Sequence, residues 1–261
     1  MDWASRRKLL YLTSLLLVVG GALSFFIWKA TRTEATCYDG IQNAEEVGVD
    51  CGGGCAFYCK AELADPKVRW ARFFPLSGNL VHAVAYIEHA YPTAAARSAA
   101  YTFSFYDDRN NLLTEYHGTT YIGPMGRSAI VETLIPLGNI TPSTVRFRFD
   151  GDIVWEKIPI EFSQVVVKTD RYTLEPFESG TRLTATLENQ SSIGFKAIDV
   201  AAILYDSNDN AIAVSKALLP ALPAQATTTV YFTWPSALRE KTARVEVIPR
   251  ITPFSLLPQS L

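Results

Sequence analysis

From Leu9 to Trp28 the chain carries an unbroken apolar run, LLYLTSLLLVVGGALSFFIW, without a single charged residue. At 1.5 Å per residue a helix of this length reaches about 30 Å, the thickness of the bilayer hydrocarbon. A helix satisfies its own backbone amides, as a membrane demands, and Tyr11 near one end with Phe25, Phe26 and Trp28 at the other suit the lipid–water boundary. The pattern predicts a transmembrane helix at 9–28. Arg6, Arg7 and Lys8 precede it while Lys29 and Arg32 follow, a bias that favours a cytoplasmic N-terminus at 1–8 and an extracytoplasmic remainder. A cleaved signal peptide is the competing reading, with Ala22-Leu23-Ser24 as the cleavage site, but the run exceeds the usual length of a signal core.

Beyond Pro66 the period changes. Long amphipathic helical stripes vanish, and short runs rich in β-branched and aromatic residues take over, separated by turn residues. The predicted strands include 79–89, 99–107, 128–136, 144–151, 182–189, 198–206 and 228–234. Many alternate apolar and polar positions, as antiparallel strands with one wet face do. At 80–89 that alternation puts His82, Tyr86 and Glu88 on a solvated outer face, opposite Val81, Ala83, Ala85 and Ile87. Arg146 and Arg148 mark the wet side of another strand, and Trp70, Phe73, Phe74 and Trp155 are expected to fill cores and a domain junction.

The two halves of this β-rich region echo each other about a hundred residues apart. Ser77-Gly78 answers Ser179-Gly180, and Phe105-Tyr106-Asp107 answers Leu204-Tyr205-Asp206, each followed by a short polar turn at 108–111 or 207–210 and a further apolar strand. Asn and Asp tolerate the left-handed backbone of such turns, so hairpins are predicted. The repeat length and strand count fit two immunoglobulin-like β-sandwich domains at 63–162 and 163–251, lacking the disulfide and tryptophan of antibody domains, with a tail at 252–261. Phe195 to Asp206, with its Leu204-Tyr205-Asp206, the turn after it and Leu218 to Pro223, resembles the bacterial FxLYD family of extracytoplasmic β-sandwich domains; the first half is a more distant relative. The resemblance implies a fold and a surface location, and no catalytic residue.

All four cysteines, Cys37, Cys51, Cys55 and Cys59, fall in a short module within 29–62. Clustered just beyond an export segment, they predict two disulfides rather than a zinc site, since the usual Cys-x-x-Cys knuckles are absent. Three pairings are open; Cys37 with Cys51 and Cys55 with Cys59 is the one expected. Asp39, Asn43, Glu46 and Asp50 lie in the same loop and are hard oxygen donors of the kind calcium takes, although turn chemistry alone accounts for their types. The string from Cys37 through Asp39, Gly40, Asn43, Glu46, Gly48 and Asp50 to Cys51, Gly52, Gly53 and Cys55 resembles a cysteine-rich repeat of secreted and surface proteins, which implies an extracytoplasmic module.

The formal net charge of −2 supplies no basic field for nucleic acid. His82, His89 and His117 are the only histidines, and none sits in a metalloprotease, nucleophile-elbow or phosphate-loop motif. An EF-hand reading of Asp206 to Ala217 fails, with Ala211 where glycine and Ala217 where glutamate would be needed. Asn139 and Asn189 begin glycosylation-type triplets that matter only in a eukaryotic secretory route. The expectation is a mainly β, membrane-anchored noncatalytic protein of the cell envelope that binds a protein partner, the alternative being a glycan or small-ligand receptor.

Overall fold

A computed structural model describes residues 3–31, 36–43, 45–177, 180–235, 238 and 240–257. Arg32 and Ser179, which the sequence reading used, lie outside the described residues, as do 1–2 of the N-terminal segment and 258–261 of the tail. The chain is mainly β, with one long helix, α1 (Trp3–Thr31). Its stretch Arg6–Lys29 is long and apolar enough to cross a membrane, and none of it is buried against the rest of the protein.

Six strands, β1 (Lys67–Pro75), β2 (Leu80–His89), β3 (Ala94–Tyr106), β4 (Leu112–Ile122), β5 (Gly126–Pro136) and β6 (Thr144–Asp150), form two antiparallel sheets ordered β1-β2-β5 and β4-β3-β6. A short β7 (Glu156–Lys157) adds to the start of β3. The remaining strands are β8 (Val167–Phe177), β9 (Gly180–Asn189), β10 (Phe195–Tyr205), β11 (Ala211–Leu222), β12 (Thr227–Trp234) and β13 (Arg244–Arg250). Their sheets, β12-β9-β8 and β11-β10-β13, repeat the first strand order element for element. Each half closes over its own core: Ile87, Tyr101, Phe103 and Phe105 in the first, Leu183, Phe195, Leu204 and Phe232 in the second.

The hairpins that announced the repeat are built alike. The Asp107 carboxylate accepts from the N–H groups of Arg109 (2.9 Å) and Asn111 (2.7 Å). Asp206 accepts from Asn208 and Asn210, both at 2.8 Å. Asn110 and Asp209 hold the left-handed backbone at φ 63° and 64°, a conformation their short polar side chains tolerate. Asp206 to Asn210 is therefore a hairpin turn between β10 and β11.

The expectation for β2 is overturned. The outer face of β2 is not solvated: Val84 is fully buried and His82 and Tyr86 nearly so. Val84 and Tyr86, with Ala129 and Val131 of β5, pack against Ala201, Ile203 and Tyr205 of β10 and Ile248 of β13. The β1-β2-β5 sheet is thus covered on both faces, and the molecule is a stack of four sheets with three apolar layers between them. The physical reason lies in the strand itself, where Ala83 to Ile87 is an unbroken apolar run, the mark of a strand buried on both sides. Trp70 and Phe74 pack into this junction, Phe73 into the first core, and Trp155 into a small cluster beside the cysteine module. Arg146 and Arg148 are exposed.

Candidate functional site

The junction between the sandwiches is pinned at both ends by polar groups. At one end Glu246 of β13 accepts the phenol of Tyr86 (2.7 Å) and that of Tyr205 (2.8 Å), one on each oxygen. Arg244 lies 3.7 Å over the Tyr205 ring and pairs with Asp209 at 2.6 Å. Trp70 stacks on Tyr86 with centroids 5.2 Å apart. Together with the Arg69–Glu88 pair and Arg127 these groups line an open cleft of about 500 Å³. Burial, reinforced by the Glu246 carboxylate, pushes the Tyr86 phenol up to about 12 and Tyr205 upward too. Both are proton donors at neutral pH and neither is a base.

At the other end the buried Arg250 guanidinium reaches across the junction. Its Nε donates to Ser128 Oγ (3.2 Å), Nη2 to the Tyr121 carbonyl (2.8 Å) and to Thr120 Oγ1, and Nη1 to Asp199 (3.4 Å). The Tyr121 phenol donates back to the Arg250 carbonyl at 2.7 Å. Alongside, the chains run so close that a Cβ on Gly123 would stand 2.3 Å from the Ile251 carbonyl oxygen. The Nδ1 of His89 is 3.1 Å from the Gly123 carbonyl, which makes it the protonated nitrogen, and the ring lies parallel to Trp155 at 4.4 Å. Burial pushes its pKa down, opposed in part by that carbonyl. Its Nε2 is buried with no hydrogen-bond partner among the described residues, beside a cavity of about 320 Å³ between the sandwiches.

A further polar network lies on the outer face of β4-β3-β6 and was not foreseen from the sequence. Thr102 Oγ1 stands 2.7 Å from His117 Nδ1 and donates to Asp150 at 2.5 Å. Arg148 joins Asp150 (3.0 Å) to Glu115 (3.2 Å), and Ser104 donates to Glu115 at 2.7 Å. Those contacts hold the Glu115 carboxyl below its ordinary range, Ser104 most and Arg148 next. A Ser-His-Asp nucleophile needs the imidazole to take the hydroxyl proton with the carboxylate behind the ring. Here the hydroxyl donates its hydrogen bond to the carboxylate and accepts one from the imidazole, so the imidazole is not placed as its base. The signal available in sequence was the period-two spacing of Thr102/Ser104, Glu115/His117 and Arg146/Arg148; only the strand register brings them opposite each other.

In the cysteine module the pairing differs from expectation: Cys37 joins Cys55, and Cys51 joins Cys59. The Gly48–Cys51 bridge folds the loop tightly, and the left-handed Gly52 and Gly53 reverse the chain so that Cys55 comes back to Cys37. Gly53 has no room for a side chain, since a Cβ there would overlap the Glu45 carbonyl oxygen at 1.6 Å. Asp39, Asn43, Glu46 and Asp50 do converge, on main-chain N–H groups. Asp50 accepts from Asp39 (3.0 Å) and Gly40 (3.0 Å), Asp39 from Ile41 (3.0 Å) and the Asn43 amide (2.9 Å), and Glu46 from Asn43 (3.2 Å). The Asn43 amide is the main cause holding the Asp39 carboxyl below its ordinary range. These are loop-closing bonds of the kind turn chemistry requires. Cys37, Glu46 and Cys55 approach within 4.8 Å, but their sulfurs belong to the disulfide and are not thiolates. Asn189 is fully buried, its amide donating to the Ile193 and Pro223 carbonyls, so it is closed to glycosylation in the folded chain.

No protein-family model and no curated protein sequence matches the chain. Among solved structures, the crystal structure of red sea bream transglutaminase is similar over 73% of this chain and 31% of that one, at 10% identity and a TM-score of 0.25. The CBM22-1-CBM22-2 tandem domain of Paenibacillus barcinonensis Xyn10C is similar over 74% of this chain and 86% of that one, at 6% identity and a TM-score of 0.15. Likenesses this slight carry no weight for fold or function.

Proposed function

We propose that this chain is a membrane-anchored, noncatalytic protein of the cell envelope. Its N-terminus is cytoplasmic, and its sandwiches, outside the cytoplasm, bind another protein or join a membrane-associated assembly. The observation that carries the reading is the buried contact between β1-β2-β5 and β11-β10-β13, fastened by Glu246 at one end and Arg250 at the other. Such a junction leaves a stiff body whose outer faces and strand edges are available to a partner. The apolar helix supports the anchor, and the two disulfides support an oxidising side of the membrane. The twin hairpins and repeated strand order favour the FxLYD-like, immunoglobulin-like assignment. The proton order at Thr102 favours a noncatalytic face.

Gentle solubilisation after crosslinking in intact cells should recover a stoichiometric protein neighbour. Recovery of this polypeptide alone would overturn the reading. Labelling of cysteines introduced near Ser255, in intact cells, should succeed with an impermeant reagent and fail if the orientation is inverted.

A second reading, a receptor for glycan or another small ligand, is favoured by the cleft in which Trp70 and Tyr86 stack between Arg69 and Arg244. Aromatic faces beside forked polar groups suit sugars. A glycan array probed with the purified chain should then give hits that Trp70→Ala removes; a blank array counts against it.

A further inference from the structure

In the cysteine module the usual arrangement of polar and apolar groups is reversed. The carboxylates of Asp39, Glu46 and Asp50 turn inward onto main-chain N–H groups, while Tyr38 is 76% exposed, Ile41 and Val47 58% each, and Val49 55%. The bonds from Asp50 to the N–H groups of Asp39 and Gly40 hold the segment carrying Tyr38 and Ile41 against the one carrying Val47 and Val49, so the four apolar side chains belong to neighbouring turns. Four exposed large apolar side chains on so small a unit mark a contact surface.

Two observations say what covers it. The far end of the module is already occupied by the first sandwich: Phe57 pairs with Glu156, the Tyr58 N–H donates to the Trp155 carbonyl at 3.0 Å, and Tyr58 and Leu63 pack beside Trp155. At the near end, the described part of α1 reaches Thr31 and the first disulfide begins at Cys37, six residues on. Six residues extend at most about 20 Å, so the module cannot leave the vicinity of whatever holds the helix. Between 36 and 55 the module has the acids Asp39, Glu45, Glu46 and Asp50 and no Lys or Arg, which disfavours an anionic surface.

We infer that Tyr38, Ile41, Val47 and Val49 rest in the headgroup layer of the bilayer that the chain's own helix spans, and that the lipid they meet is zwitterionic. The inference rests on the membrane-spanning reading of α1. Tyrosine belongs at that depth, and the aliphatic side chains add apolar area to the same contact. The module then acts as a footplate between the membrane and the β-sandwiches.

The test uses the full chain, methyl-labelled, in phosphatidylcholine nanodiscs doped with nitroxide lipid. Headgroup nitroxide should broaden the methyl signals of Ile41, Val47 and Val49 several-fold more than those of Val154 and Leu218, which are exposed on the sandwiches. Acyl-chain nitroxide should broaden Leu15, Leu16 and Leu17 of the helix. Ile41→Asp with Val49→Asp, both at exposed positions, should abolish the broadening at Val47. Sharp module methyls beside broadened helix methyls overturn the footplate and leave the anchor standing; sharp helix methyls overturn both. Sharp module methyls whose shifts follow protein concentration would assign the patch to a second copy of the chain and equally overturn it.

Discussion

Glu246 accepts two phenolic hydrogen bonds from opposite sides of the junction, and removing it leaves two largely buried donors unpaired. Glu246→Ala is expected to cost about 1–3 kcal/mol, read as a lower urea midpoint, because buried donors left unpaired lose their hydration without compensation. Arg250→Ala should cost more, about 3–5 kcal/mol, since it leaves Asp199 and the Tyr121 carbonyl without their cation. Arg250→Lys should recover only part, lacking the fork that spans Ser128, Thr120 and Asp199. Burial also sets the alkaline limit. Tyr86 and Tyr121, ordinarily at 10.0, are pushed up to about 12 in the folded chain. The fold favours the protonated phenol, so this stabilisation is complete below pH 10 and disappears as pH rises through about 12. The last phenolate absorbance to appear, that of the buried tyrosines, should therefore rise together with loss of the circular dichroism signal; full ionisation with the fold intact would contradict the assigned burial.

Strands show how far local pattern reaches. The hairpins at Asp107 and Asp206 were readable because their turn residues act within five positions of each other, and α1 because its length and lack of charge are local facts. Strand β13 escaped, since Pro249 argues against a strand and is tolerated here only because β13 lies at a sheet edge. The covered outer face of β2 escaped for a different reason: alternation distinguishes the two faces of a strand but not what approaches each, and the covering residues lie more than a hundred positions away. The cysteine spacing disclosed a disulfide module, yet the pairing depended on the left-handed Gly52 and Gly53. The His117–Thr102–Asp150 chain needed the register of three strands. A contrast follows. Val84→Asp, at a fully buried position in the junction, should lower the melting midpoint severely through an unpaired buried charge of several kcal/mol. Arg146→Ala, on the exposed face of β6, should lower stability by only about 0.5–1 kcal/mol, the worth of its exposed contacts with the Tyr106 ring and Asn110.

The whole molecule should melt as one unit. Two sandwiches joined by a flexible linker would show two transitions, but here the middle apolar layer is shared, so neither half can open without exposing Val84, Ile203 and Val214. Calorimetry of the detergent-solubilised chain is expected to give a single endotherm, and a resolved pair would refute the shared layer. Reduction should behave differently: breaking Cys37–Cys55 and Cys51–Cys59 frees the module, so mild reductant should admit protease between 37 and 59 while the sandwiches resist.

The four-sheet stack has a metrical consequence. Stacked sheets lie about 10 Å apart, so three such gaps put the backbones of β4-β3-β6 and β12-β9-β8 about 30 Å from one another. Two molecules seated on those opposite faces would be kept at a constant distance whatever either of them did, and neither could draw the other closer without tearing the middle seam.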